Sequence, residues 1–249
     1  GGCVGAWQCL LLGYTLLPNS EVMIVELMKC SLQDVLKIYS SVRARATPPP
    51  DCCAAGRRPL RACPCARAQR GTPFSLERTA RYAIQFAQGM NFLHTHKPNP
   101  ILHRDLKPAN LLLDFADVLK VSDFGLAKRL ATGELCSDVV GTAGYMSPEV
   151  LDGRGYEWKS DIWSLGCLLY ELATLRSPFK AEGDNLYTLF KKISVGRFEE
   201  LPAHYSPQLR KLVASMIQID PTARPDIHTV SKFAHKALAT FAAESSGGG

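Results

Sequence analysis

Three short polar segments hold the side chains of this chain that could do chemistry together. They are His103-Arg104-Asp105-Leu106-Lys107-Pro108-Ala109-Asn110, Asp123-Phe124-Gly125 and Ser147-Pro148-Glu149. Asp105, Asn110 and Asp123 offer carboxylate and amide oxygens, hard donors of the kind that hold a hard divalent cation. Lys107 adds an ammonium group two residues after Asp105. An isolated Asp is more often a turn former or a partner for local backbone. Taken singly, Asp105 and Asp123 each fit that reading.

Such groups need a rigid support, and the surrounding residues supply one. Ile101-Leu102, Leu111-Leu112-Leu113 and Val118-Leu119-Lys120-Val121 are short apolar runs separated by polar residues, the pattern of strands around a loop. Upstream, Leu76, Ala80, Ala83, Ala87 and Met90 follow spacings of four, three, four and three, which predicts one face of a long helix ending before Lys97-Pro98-Asn99-Pro100. Downstream, Ser160-Asp161 is expected to cap a helix apolar on nearly every face, with Ile162, Trp163, Leu165, Cys167, Leu168, Leu169 and Leu172. Ser206-Pro207 opens another, with Leu209, Leu212, Val213, Met216 and Ile217 inward. A last helix from about Asp226 carries Ile227, Val230, Phe233 and Ala234, and the end from residue 239 reads as a flexible tail. At the other end, Leu10–Leu17 and Val22–Leu27 flank Pro18-Asn19-Ser20 as a hairpin, and Ser31 opens a short helical stretch.

Composition excludes several classes. The 249 residues are 46% hydrophobic and 21% charged, an ordinary globular balance rather than that of a disordered chain. The net charge of +6 comes from one window, where seven arginines (Arg43, Arg45, Arg57, Arg58, Arg61, Arg67 and Arg70) face a single acid, Asp51. Elsewhere basic and acidic residues balance, so no nucleic-acid partner is expected. That window, residues 43–72, is rich in Arg, Pro and Cys without apolar periodicity and reads as a disordered insert. Its Cys52-Cys53 and Cys63-Pro64-Cys65 fit zinc spacing poorly. Nine scattered cysteines fit a reducing, cytoplasmic setting, and no apolar run is long enough to span a membrane. The first residue is Gly1 rather than Met, and the expectation is a piece of a longer protein.

In order and wording the three polar segments resemble the eukaryotic protein kinase family, whose signatures are H-R-D-L-x-x-x-N, D-F-G and A-P-E. Only the third departs, with Ser147 in place of Ala. The resemblance implies an α+β fold, a mainly helical large lobe (29–42 and 73–238) joined to remnant strands of a small lobe (1–28). It implies ATP and Mg²⁺ as cofactors and protein substrates carrying Ser or Thr. Asp105 is the implied catalytic base, Lys107 the cation on the transferred phosphate, and Asn110 and Asp123 the magnesium ligands. Lys107 together with Thr142 accompanies serine/threonine specificity. Asp161 is similar to the buried acid that holds the catalytic-loop backbone, and Glu149 and Arg224 to the pair that ties the activation segment to the last helices. Arg104 is in the position that pairs with a phosphorylated activation segment, for which Thr132 and Ser137 are the acceptors and Asp138 a permanent charge. Tyr170-Glu171-Leu172, Ser177-Pro178-Phe179, Asn185-Leu186-Tyr187 and Lys191-Lys192-Ile193 are similar to the NIMA-related branch. Pro98-Asn99-Pro100-Ile101 looks more like tyrosine-kinase-like families.

Against the same family, parts of the phosphate cradle are missing. By resemblance Leu11–Leu17 and Val22–Leu27 are the last small-lobe strands, with Val25 as gatekeeper and Glu26, Met28 and Leu112 toward the nucleotide. No G-x-G-x-x-G occurs, and residues 1–28 contain no Lys or Arg to act as the strand lysine. Losing one preorganised charge-stabilising donor costs about 10²–10³ in rate. These 249 residues are therefore expected to be inactive or nearly so alone. The alternative is a kinase-like interaction module without catalysis.

Overall fold

The computed structural model describes residues 9–17, 20–27, 30–33, 36, 75–96, 99–114, 116–129 and 139–246. Of the residues singled out above, Met28, Thr132, Ser137, Asp138 and the window 43–72 lie outside the described residues. Two compact units emerge, residues 1–73 with 108–123, and residues 74–107 with 124–249.

In the first unit, β1 (Cys9–Leu17) and β2 (Ser20–Leu27) pair antiparallel from Leu17↔Ser20 outward, the hairpin the two apolar runs predict. A register shift between Leu11 and Gly13 marks a bulge. Glu26 lies opposite Leu10 and Val25 opposite Leu11. A second sheet has the order β3–β5–β6, where β3 is Cys30–Ser31, β5 is Leu111–Leu113 and β6 is Leu119–Val121. Leu111, Leu112, Leu113 and Leu119 are all buried, as are Leu32 and Leu36, so β5 is covered on both faces. Asp114 closes the β5–β6 turn by accepting from the backbone of Ala116 and Val118.

The second unit is helical: α1 (Leu76–His94), α2 (Pro148–Leu151), α3 (Trp158–Thr174), α4 (Leu186–Val195), α5 (Pro207–Met216) and α6 (Ile227–Ser246). Ser75 caps α1 through Arg78 N–H, and Ala80, Ala83, Ala87 and Met90 form the buried stripe expected of it. Ser206 caps α5 with Pro207 at its first position, and every inward residue expected of that helix is buried. Strand β4 (Ile101–Leu102) pairs antiparallel with β7 (Lys128–Arg129).

Three details differ from expectation. Helix α3 begins at Trp158, because Glu157 is its cap and Ser160 completes a reciprocal capping box from inside. Helix α6 continues to Ser246, so residues 239–246 are helical rather than a loose tail. Phe233 is 40% exposed, because Ile227, Val230, Ala234 and Ala237 take the inward face at spacings of three, four and three.

Helix α3 is the core of this unit, buried at nearly every position from Ser160 to Ala173. Gly166 lets α5 approach it: a Cβ there would come 2.9 Å from the Met216 Cβ and 2.8 Å from Ile217 Cγ1. Stacked on α3, the Trp163 ring lies parallel to Phe179 at a centroid distance of 5.4 Å.

Candidate functional site

Asp105 and Lys107 belong to the helical unit, Asn110 and Asp123 to the sheet unit, and each cluster is built within its own unit.

In the helical unit Asp105 is 7% exposed, and both of its carboxylate oxygens are engaged. The Thr142 hydroxyl donates to Oδ1 at 2.7 Å, and the Lys107 ammonium sits on Oδ2 at 2.5 Å. Thus the acid and the cation within one loop, and the threonine to which the family resemblance pointed, meet on one carboxylate. The backbone that carries Asp105 is held in an unusual shape, since Arg104 has φ +68°, a left-handed conformation that costs a non-glycine residue about 1–2 kcal/mol. Asp161 at the start of α3 maintains it. This buried carboxylate accepts from the His103 and Arg104 backbone N–H groups at 3.1 and 3.2 Å and from the Tyr156 hydroxyl at 2.7 Å. His94 Nε2, at the end of α1, completes the set at 2.9 Å. Burial alone would raise the Asp161 pKa, but His94, His103 and Tyr156 outweigh it and hold it below the ordinary 3.8. Arg104 itself donates from Nε to the Leu126 carbonyl at 2.6 Å, and the His103 ring packs against Phe124 at 5.2 Å.

The Gly141–Tyr145 segment approaches the same loop closely. Gly141 has φ +117°, and a Cβ there would lie 2.6 Å from the Arg104 carbonyl oxygen, so only glycine permits this approach. Tyr145 is fixed twice to α3, its hydroxyl donating to Glu171 at 2.5 Å and its carbonyl accepting from Ser164 at 2.7 Å. Burial pushes the Glu171 carboxyl above its ordinary 4.5, against the opposing pull of Tyr145 and Lys180.

Glu149 and Arg224 form a bidentate ion pair, with both N···O distances 2.7 Å and both side chains buried. Ser160 donates to Glu149 Oε1 at 2.7 Å. Burial raises the Glu149 pKa, and the Arg224 and Ser160 contacts more than reverse this, leaving it below 4.5. Asp161 and Glu149 thus share a sign. Each stabilises the fold fully above its unfolded pKa and loses that contribution as pH falls through the lower folded value. The melting temperature is accordingly expected to drop as pH is lowered below about 4. Thermal melts between pH 7 and pH 3 check this, and a flat profile would contradict it.

In the sheet unit, the Asn110 carbonyl accepts from the Ser122 N–H at 2.9 Å and its hydroxyl at 3.0 Å. These bonds continue the β5–β6 register, so Asn110 and Asp123 sit just beyond the same end of that pair. Asn110 is buried and Asp123 exposed, and Asp123 has φ +62°, a second left-handed residue at the residues of interest. An amide and a carboxylate at one strand end fit a shared hard cation whose remaining ligands come from a bound group. Among the described residues no three His, Cys, Asp or Glu cluster as a self-sufficient metal cage. Leu112 is buried in β5 opposite Lys120 and Ser31. No described helix is long and apolar enough to cross a membrane.

Sequence reasoning missed His94, Tyr156, Ser164 and Gly141. His94 and Asp161 are 67 positions apart, and no periodicity reports such a pair. Thr142 was singled out, but the need for glycine just before it lies in a carbonyl 37 residues upstream of Gly141.

Residues 60–235 match the family model of the protein kinase domain. The chain is 45% identical over 148 residues to a probable serine/threonine-protein kinase nek2 of Dictyostelium discoideum, covering 59% of this chain and 35% of that protein. It is 46% identical over 138 residues to the serine/threonine-protein kinase Nek8 of Danio rerio, 55% of this chain and 19% of that protein. With the serine/threonine-protein kinase Nek3 of Oryza sativa subsp. japonica it shares 43% identity over 162 residues, 65% of this chain and 27% of that protein. The matched regions span about a third or less of each of these relatives.

Proposed function

The chain belongs to the protein kinase family and is similar within it to Nek-type serine/threonine kinases, and on that premise we propose a protein serine/threonine phosphotransferase. The observation that carries the reading is the Asp105 carboxylate with Thr142 on one oxygen and Lys107 on the other. Asp105 orients the substrate hydroxyl and accepts its proton, on a backbone strapped by Asp161. Lys107 sets its ammonium on the Asp105 carboxylate, next to the position where negative charge gathers. Thr142 fixes the carboxylate rotamer, so the acceptor oxygen is preorganised rather than free to swing. Asn110 and Asp123 would hold Mg²⁺, which would supply positive charge to neutralise the terminal phosphates of ATP. Glu26, Met28 and Leu112 belong on this reading to the nucleotide side. Arg104, Ser137 and Asp138 belong to control of the activation segment.

The absence of Lys or Arg from residues 1–28 supports a low rate for these 249 residues by themselves. It also favours the second reading, an interaction module without catalysis. Incubation with radiolabelled ATP, Mg²⁺ and dephosphorylated casein separates them. The expected result is label on serine and threonine at a rate about 10²–10³ below the usual 1–100 s⁻¹. Label on tyrosine would overturn the specificity, and turnover within the usual range of about 1–100 s⁻¹ would overturn the low rate.

A further inference from the structure

Helix α3 turns three neighbouring polar side chains toward three different segments. Ser160 holds Glu149, Asp161 holds the backbone before Asp105, and Ser164 holds the Tyr145 carbonyl. The third differs from the others in having two acceptors for one proton. Ser164 Oγ lies 2.7 Å from the Tyr145 carbonyl and 3.2 Å from the carbonyl of Ser160, one turn back on its own helix. A helical serine ordinarily bonds that local carbonyl. Here the shorter bond goes out to the turn.

We propose that Ser164 is a positioning residue, a two-position catch that holds residues 142–146 against the catalytic loop and releases them without stranding a buried donor. With the hydroxyl on Tyr145, the turn is held and Thr142 reaches Asp105. With the hydroxyl rotated to Ser160, the Ser164 donor keeps an acceptor when the turn leaves, and the group on α3 that gives up a partner is Glu171, which accepts from the Tyr145 hydroxyl. Gly141 against the Arg104 carbonyl and Tyr145 on Glu171 define the seat to which the turn returns. A cavity of about 10 Å³ lined in part by Ser164, Tyr145, Met146 and Tyr156 leaves room for the hydroxyl to swing. The functional meaning of the catch rests on the reading of Asp105 above, because it decides whether Thr142 orders that carboxylate.

Amide hydrogen exchange of the 249-residue chain, read by mass spectrometry, tests the catch without catalysis. In Ser164→Ala, protection across residues 142–147 is expected to fall about three- to tenfold, the weight of one net hydrogen bond. Residues 165–174 should hold or gain protection, because Ala favours helix more than Ser does. Ser164→Thr keeps the hydroxyl and should restore the turn. Unchanged exchange at 142–147, an equal loss in α3, or Ser164→Thr behaving as Ser164→Ala would each overturn the proposal. A chain that labels tyrosine yet shows this exchange pattern refutes the proposed function alone.

Discussion

Replacing Arg224 by Ala is expected to destabilise the helical unit by about 3–5 kcal/mol, the cost of leaving a buried charge without its partner. Arg224 uses all its N–H groups. Two go to Glu149, and the others go to the carbonyls of Gln218, Lys159 and Ile219. Its guanidinium also lies over the Trp163 ring at 5.1 Å. Truncation leaves the Glu149 carboxylate with Ser160 as its strong remaining donor and takes one donor from each of three carbonyls. At about 2–4 °C per kcal/mol for a domain of this size, the melting temperature should fall by roughly 10 °C. Lys cannot substitute, because an ammonium lacks the planar fork that meets both carboxylate oxygens. The sharper test is the double variant Glu149→Leu with Arg224→Met. Removing both charges abolishes the desolvation cost together with the attraction, so the double variant should be more stable than either single one. Urea titrations of the four proteins form the cycle. An Arg224→Ala chain within about 1 kcal/mol of the parent would refute the mechanism.

What could be read ahead of the structure follows from how far each signal reaches along the chain. The α1 and α5 stripes, the β1–β2 hairpin and the strands around Asp105 rest on neighbours a few residues apart, and periodicity reports them. Phe233 shows the limit of that method: Ala237, which completes the inward face of α6, is small enough to be overlooked, while the larger aromatic ring attracts notice. Motif wording brought out Asp161, Glu149 and Arg224, which no pattern of apolar residues would have found. It did not extend to their partners. His94 looks like an ordinary end-of-helix histidine, and Tyr156 like a loop aromatic, until a chain reversal brings both to Asp161. The positive φ angles of Arg104 and Asp123 were hidden for a different reason. Nothing in an Arg or Asp side chain asks for a left-handed backbone; the surrounding hydrogen bonds impose it.

Because contacts outside residue 105 impose those angles, substitution of Asp105 bears on rate more than on stability. Replacing Asp105 by Asn keeps the size and leaves one oxygen to accept from Thr142 or Lys107. The loop stays strapped by Asp161, whose contacts to His103 and Arg104 do not involve residue 105. What disappears is the charge and the capacity to take a proton, because an amide nitrogen facing the hydroxyl is a donor. Phosphate transfer to casein by the 249-residue chain should therefore fall by about 10²–10⁴, the usual contribution of a positioned general base. The KM for ATP should stay within a few-fold of the parent. Thr142→Val is the graded control. It removes one hydrogen bond to a carboxylate that keeps its charge, so a loss of only about tenfold is expected. A single-turnover assay at saturating ATP separates the two. If Asp105→Asn retained more than a tenth of the parent rate while Thr142→Val lost more than it, the carboxylate would be a support for the turn, and the proton would have to leave by another group.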